Sequence, residues 1–215
     1  MAMAATKNRA GRLAVLLAAV LLVAGGTTSA KERGAELYSL CSQCHGAAGA
    51  GNPATLAPSI AGLPEWYVEG QLQKFRGGLR GTHFDDIAGM RMRPMALWLR
   101  SDDDVKAVAA YVASLPRTAP AATLEGGNAA KGDALFVVCK TCHGADAAGN
   151  PQMFAPPLRG ATDWYLLKQL KKFKGGVRGF NPTDQNGIVM AGMAKTLPDE
   201  QAMKDVIAYI MTLPK

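Results

Sequence analysis

The chain has 215 residues, with 24 Lys and Arg against 17 Asp and Glu, a formal net charge of +7, and four cysteines. Basic and aromatic residues are nowhere interleaved in a nucleic-acid-binding pattern, so the positive charge reads as a solvated, mildly basic surface. Past the first thirty residues no stretch is apolar enough to cross a bilayer as a helix, which needs ~20 residues.

Residues 1–30 read as a secretory signal. Lys7, Arg9 and Arg12 form a basic start, Leu13 to Ala24 is a 12-residue apolar run, and Thr28-Ser-Ala30 is a small-residue cleavage site. Cleavage after Ala30 is expected, with retention as an inner-membrane anchor the alternative. Losing those three cations lowers the formal charge from +7 to +4.

A first helix runs from Lys31 into Cys41-Ser-Gln-Cys-His45, and the pattern returns at Cys139-Lys-Thr-Cys-His143. C-x-x-C-H is the attachment signature of c-type haem. Two thiols three positions apart each bond one vinyl group on a porphyrin edge, and the adjacent imidazole lies under the iron as proximal ligand. Cys41, Cys44, Cys139 and Cys142 are the only cysteines, so two haems use all four and no disulfide remains. Ionised propionates, about two per haem, cancel most of the residual positive charge.

After the first motif, residues 47–62 are rich in Gly, Pro and Ala and read as loop. Pro64 to Phe75 is helical, with Trp66, Leu72 and Phe75 on one side and Gly77-Gly78 stopping it. A methionine-bearing loop follows. The closing helix begins at an N-cap, Ser101, with Asp102 to Asp104 complementing its dipole and Val105, Val108, Val112 and Leu115 as its apolar face. Trp66 and its counterpart Trp164 read as haem-pocket packing rather than as electron relays.

The same unit is written twice. The offset from Cys41 to Cys139 is 98 residues, and it also maps Gly34 onto Gly132, Pro58 onto Pro156, Trp66-Tyr67 onto Trp164-Tyr165, Arg80 onto Arg178 and Leu115-Pro116 onto Leu213-Pro214 without a gap. This predicts an all-α protein of two tandem domains, 31–116 and 129–215, with a Pro- and Gly-rich linker at 117–128. Each domain is small enough to need the porphyrin as its core. In the second copy, Lys168, Lys171, Lys172, Lys174 and Arg178 read as a solvated helix face, with a docking patch the alternative.

Each iron needs a second axial ligand. Of the three histidines, His45 and His143 are proximal; His83 faces Asn181 across the repeat and reads as a loop residue. Methionine is left, in the pairs Met92/Met95 and Met190/Met193. Thioether sulfur favours ferrous iron and raises the reduction potential, and His/Met ligation leaves no open position. The residues alone leave open which member of each pair ligates.

The two motifs, the following prolines, the methionine segments and the closing Tyr-x-x-x-Leu-Pro helices resemble class I cytochromes c, and the tandem arrangement resembles the di-haem cytochromes of the c-four type. The resemblance covers residues 31–215. It implies two class I cytochrome c domains with their haem edges facing. It also implies that Pro58 and Pro156 offer carbonyls to the proximal imidazoles. The family loop M-x-P-M-A-x-x-L is similar to Met92-Arg-Pro-Met-Ala-Leu-Trp-Leu99 and, without the Pro, to Met190-Ala-Gly-Met-Ala-Lys-Thr-Leu197, which implies Met92 and Met190 as distal ligands. Counted back from the final helix, Met95 and Met193 fit some single-haem relatives instead.

The expected function is electron transfer without bond-making chemistry. The partners expected are periplasmic or membrane-surface redox proteins, from a quinol-oxidising complex or dehydrogenase to a terminal oxidase, with no small-molecule substrate. The alternatives are a di-haem enzyme, either a peroxidase or a thiosulfate-oxidising cytochrome, and a fixed subunit of a larger membrane complex.

Overall fold

Helix boundaries follow the capping chemistry of the sequence. The computed structural model describes residues 29–118 and 120–214, together with Met1. The expected signal peptide, apart from Met1 and its last two residues, lies outside them. The N-terminal domain holds α1 (Ala30–His45), α2 (Glu65–Arg76), α3 (Ile87–Trp98) and α4 (Asp102–Ser114); the C-terminal domain repeats them as α5 (Ala129–His143), α6 (Asp163–Lys174), α7 (Gln185–Lys195) and α8 (Glu200–Thr212). Ser101 caps α4 by accepting from the Asp104 N–H at 3.1 Å, and Asp199 caps α8 by accepting from the Ala202 N–H at 2.8 Å. Extended structure among the described residues is limited to the single bridges Asn52–Ala57 and Asn150–Ala155.

In each domain the first helix crosses the last, and the close approach is made possible by a glycine. A Cβ on Gly34 would meet the Ala107 carbonyl oxygen at 2.2 Å, and one on Gly132 would meet that of Asp205 at 1.9 Å. Around the first crossing lie Leu37, Tyr38, Val105, Val108 and Val112; around the second lie Phe136, Met203, Val206, Ile207 and Ile210.

The methionine segments are helical, not loops. Asp86 caps α3 by accepting from the Gly89 N–H at 2.9 Å, and Asp184 caps α7 by accepting from the Gly187 N–H at 3.1 Å. Pro94 inside α3 hides the helix from sequence inspection, because proline removes a donor and crowds the preceding turn. Three well-capped turns packed on a core override that single defect.

The linker is tied down rather than loose. Asp163, 1 % exposed, accepts from the Leu124 N–H at 2.7 Å, the Thr123 hydroxyl at 2.9 Å and the Trp164 N–H at 2.7 Å, and also takes the Thr123 N–H. Asp205 holds the Asn128 N–H at 2.8 Å. Burial pushes the Asp163 carboxyl up, but these donors outweigh it and hold it below the usual carboxylate range. The contribution is therefore present above about pH 4 and lost as pH falls through the depressed folded value. Asp163→Ala strands several donors and is expected to cost about 2–4 kcal/mol at pH 7. Chemical denaturation of the wild type and the variant at pH 7 and pH 3 checks this, since the gap between them should narrow in acid.

Contacts across the two domains are exchanged symmetrically. Lys74 of α2 reaches Asp184 at 2.6 Å, and its counterpart Lys172 of α6 reaches Asp86. Between these pairs lie Arg80 and Arg178, both buried: Arg80 donates to Gln71 at 2.7 Å, while Arg178 donates to Gln169 at 2.8 Å and across the interface to Gln71 at 2.9 Å. Each guanidinium stacks on a phenylalanine, Arg80 over Phe75 at 4.3 Å and Arg178 over Phe173 at 4.4 Å. Swapped pairs of this kind are what an approximate two-fold relation between homologous units produces.

The basic run from α6 to Arg178 is consequently a solvated face only in part: Lys168 and Lys171 are exposed, whereas Lys172, Lys174 and Arg178 are engaged by other segments. Lys172 and Arg178 are used across the interface. Lys174 donates to the Leu197 and Pro198 carbonyls, and Lys171 pairs with Glu200 at 2.7 Å. Lys168 lies over the Trp164 ring at 5.4 Å. Apart from Trp164, which lies in the same helix, these partners come from other segments, so charge at helical spacing could not reveal them.

Candidate haem-attachment sites

Cys41 and Cys44 lie in the last two turns of α1, and Cys139 and Cys142 in the last two turns of α5; none of the four is in a disulfide. Three-residue spacing in a helix sets each pair on one face.

His45 and His143 end these helices, 8 % and 7 % exposed. The His45 Nδ1 sits 2.9 Å from the Pro58 carbonyl oxygen and the His143 Nδ1 sits 2.8 Å from that of Pro156. A carbonyl only accepts, so Nδ1 carries the proton and Nε2 presents its lone pair. Burial lowers both imidazoles below their ordinary value against the opposing pull of the proline carbonyl, which keeps them neutral, as a metal ligand must be. Free paired thiols beside an imidazole with one nitrogen occupied and the other available form the donor set of a covalently attached haem. When bound, the haem supplies a one-electron iron couple.

Met92 is half-buried in α3 and packs on the N-terminal core, as Cys41 does. Met190 of α7 packs with Phe173, Ala191 and Ala194. Met95 and Met193 are also half-buried but lie outside the side chains packed on those clusters. His83 sits on the loop before α3, stacked on Phe84 at 4.6 Å between ring centres and edge-on to Phe180 at 5.5 Å. Trp66 and Trp164 are half-buried, each edge-on to the neighbouring tyrosine.

The helix-capping carboxylates Asp86 and Asp184 and the lysine Lys74 escaped sequence reasoning, and Lys172 stands out there only as part of the basic run. Their one visible signal was the 98-residue offset, which maps Lys74 onto Lys172 and Asp86 onto Asp184.

A family model described as Cytochrome c matches residues 31–116 and again 129–214. The chain belongs to the cytochrome c family. This cytochrome is 37% identical over 152 residues, 66% of either chain, to a "Thiosulfate dehydrogenase electron acceptor" of Thiomonas intermedia. It is 31% identical over 215 residues to one from Stutzerimonas stutzeri, covering 94% of this chain and 93% of that one. A crystal structure of reduced cytochrome c4 from Pseudomonas stutzeri superposes with a TM-score of 0.69 at 29% identity, covering 86% of this chain and 98% of that one. The cytochrome is thus a di-haem electron carrier of the c4 type, with all-α tandem domains and two haem c groups, which the sites at Cys41, Cys44 and His45 and at Cys139, Cys142 and His143 fit. Among the described residues no helix is long and apolar enough to cross a membrane.

Proposed function

We propose that this cytochrome relays electrons in the periplasm from a dehydrogenase or quinol-oxidising complex to a terminal oxidase, with Met92 and Met190 closing the two irons. The observation that carries this reading is the pairing, in both domains, of an oriented imidazole with a capped helix bearing a core-packed methionine. A site with both axial positions filled moves electrons and leaves no coordination place for a substrate.

One donor class is favoured by a specific observation: two relatives, matched over 66% and 93% of their own lengths, carry the name of an electron acceptor for thiosulfate dehydrogenase. A thiosulfate-oxidising dehydrogenase is accordingly the donor, and this chain takes its electrons without oxidising thiosulfate itself. The ferric protein should be low-spin, and the ferrous protein should not bind carbon monoxide rapidly at neutral pH. Thiosulfate should reduce it only when such a dehydrogenase is added. Reduction by thiosulfate alone would make the chain the enzyme; a high-spin ferric spectrum would sink the closed-iron reading.

A further inference from the structure

Each domain of this molecule caps its methionine helix with a carboxylate, and each of those carboxylates is gripped by the other domain. The Asp184 Oδ1 accepts from the Gly187 N–H at 3.1 Å at the start of α7 and also from Lys74, on α2 of the N-terminal domain, at 2.6 Å. In mirror image, the Asp86 Oδ1 accepts from the Gly89 N–H at 2.9 Å and from Lys172 on α6. Both carboxylates are closed off from water, with side chains 2 % and 3 % exposed, and the lysines are only 20 % and 17 % exposed. The first turn of each helix is crowded around its cap: a Cβ on Gly89 would meet the Asp86 carboxylate at 2.1 Å, and one on Gly187 that of Asp184 at 2.2 Å. The carboxylate therefore has one seat, and the lysine that neutralises it comes from across the interface in both cases.

A lysine in contact with a buried N-cap carboxylate fixes where that carboxylate sits, and with it the first turn that the carboxylate holds. Met92 and Met190 follow their caps by six residues in the same helices, about a turn and two thirds. Movement of the first turn shifts the thioether.

We propose that Lys74 and Lys172 are crossed positioning residues: each domain's lysine sets the helix that delivers the axial methionine to the haem of the other domain. This rests on Met92 and Met190 being the ligands. It makes the ligand geometry of each haem depend on domain docking, so a domain that swings away loosens the iron site of its neighbour.

The test uses the full di-haem protein. In the reduced state a ligating methionine methyl lies over the porphyrin ring and gives a proton resonance far upfield, and Met92→Ala and Met190→Ala each remove one such signal and so assign them. Lys74→Gln should shift or split the Met190 signal and leave that of Met92 in place. It should also speed displacement of that thioether by imidazole in the ferric protein roughly tenfold, the lower end of what losing a ligand-orienting contact costs. Lys172→Gln should do the converse, and Lys74→Arg should restore the wild-type signal. Should a glutamine variant fail to mature, Asp184→Asn keeps an oxygen acceptor for the cap while removing the charge that Lys74 grips, and should move the same signal. A change confined to the lysine's own domain, an equal change in both haems, or none would overturn the crossed assignment. Absence of both upfield methyl signals in the wild type would overturn the methionine reading itself and this inference with it.

Discussion

Replacing Gly132 with valine is expected to leave the C-terminal domain unable to close on its haem. A Cβ at this position meets the Asp205 carbonyl oxygen at 1.9 Å and its carbon at 2.5 Å, with the Tyr209 Cβ at 2.9 Å. The obstructing atoms are backbone of α8, so no rotamer change relieves the clash and the two helices must separate. Separation opens the contacts that Phe136, Val206 and Ile210 make around the crossing. Overpacking of a close-packed core costs about 1–3 kcal/mol. Here the collision is with main chain at 1.9 Å, so a cost above that range is expected, approaching the lower end of the roughly 5–15 kcal/mol that holds a typical domain together. A haem assay should then find one haem per chain instead of two, and thermal melting followed by circular dichroism should lose the C-terminal transition. Gly192→Ala is the control, at an exposed position of α7 where an added Cβ would have no atom within 4 Å. It should be neutral or stabilising by up to about 1 kcal/mol. Full haem content and an unshifted melt in Gly132→Val would show that the crossing yields more easily than its geometry implies.

Met92→Ala and Met190→Ala should each abolish about half of the sulfur-to-iron charge-transfer absorption at the red end of the ferric spectrum, and the double variant all of it. Each should also lower the potential of one haem by on the order of 0.1–0.3 V, part of the ~0.8 V range over which axial ligands tune haem iron. Each should let carbon monoxide bind at one site. The direction follows from the chemistry of the thioether, a soft donor that stabilises ferrous iron more than ferric. The core packing of Met92 and Met190 makes them the members of each pair to lose, and Met95→Ala and Met193→Ala should keep the band. Spectroelectrochemical titration of the four single variants decides the matter. An unchanged band in both Met92→Ala and Met190→Ala would transfer the ligand role to Met95 and Met193.

Both effects differ in how far the sequence announced them. The methionine pairs were visible because they recur at the 98-residue offset beside the two C-x-x-C-H motifs. The cost of a side chain at Gly132 was not, since glycine at a helix crossing and glycine in a turn look alike until the partner helix is in place. The same blindness affected α3 and α7. Local rules read a proline and several glycines as loop, whereas the caps at Asp86 and Asp184 and the packing of Met92 and Met190 make them helices.

By itself the sequence determined what depends on local spacing and on repetition: the thioether cysteines, the adjacent imidazoles, the all-α composition and the doubling of the unit. Covalent attachment at fixed spacing acts within a few residues and the repeat is written in the order of residues, so their signatures are legible in the chain. Only the tertiary structure decided what the basic run of α6 is for, that the linker is held by Asp163 and Asp205, and that Lys74 and Lys172 reach across to the opposite caps. The hydrogen-bonded partners among these lie between 23 and 110 residues apart. Which of many charges becomes a neighbour at such separations is set by the way the helices cross and the domains dock, and no local pattern encodes it.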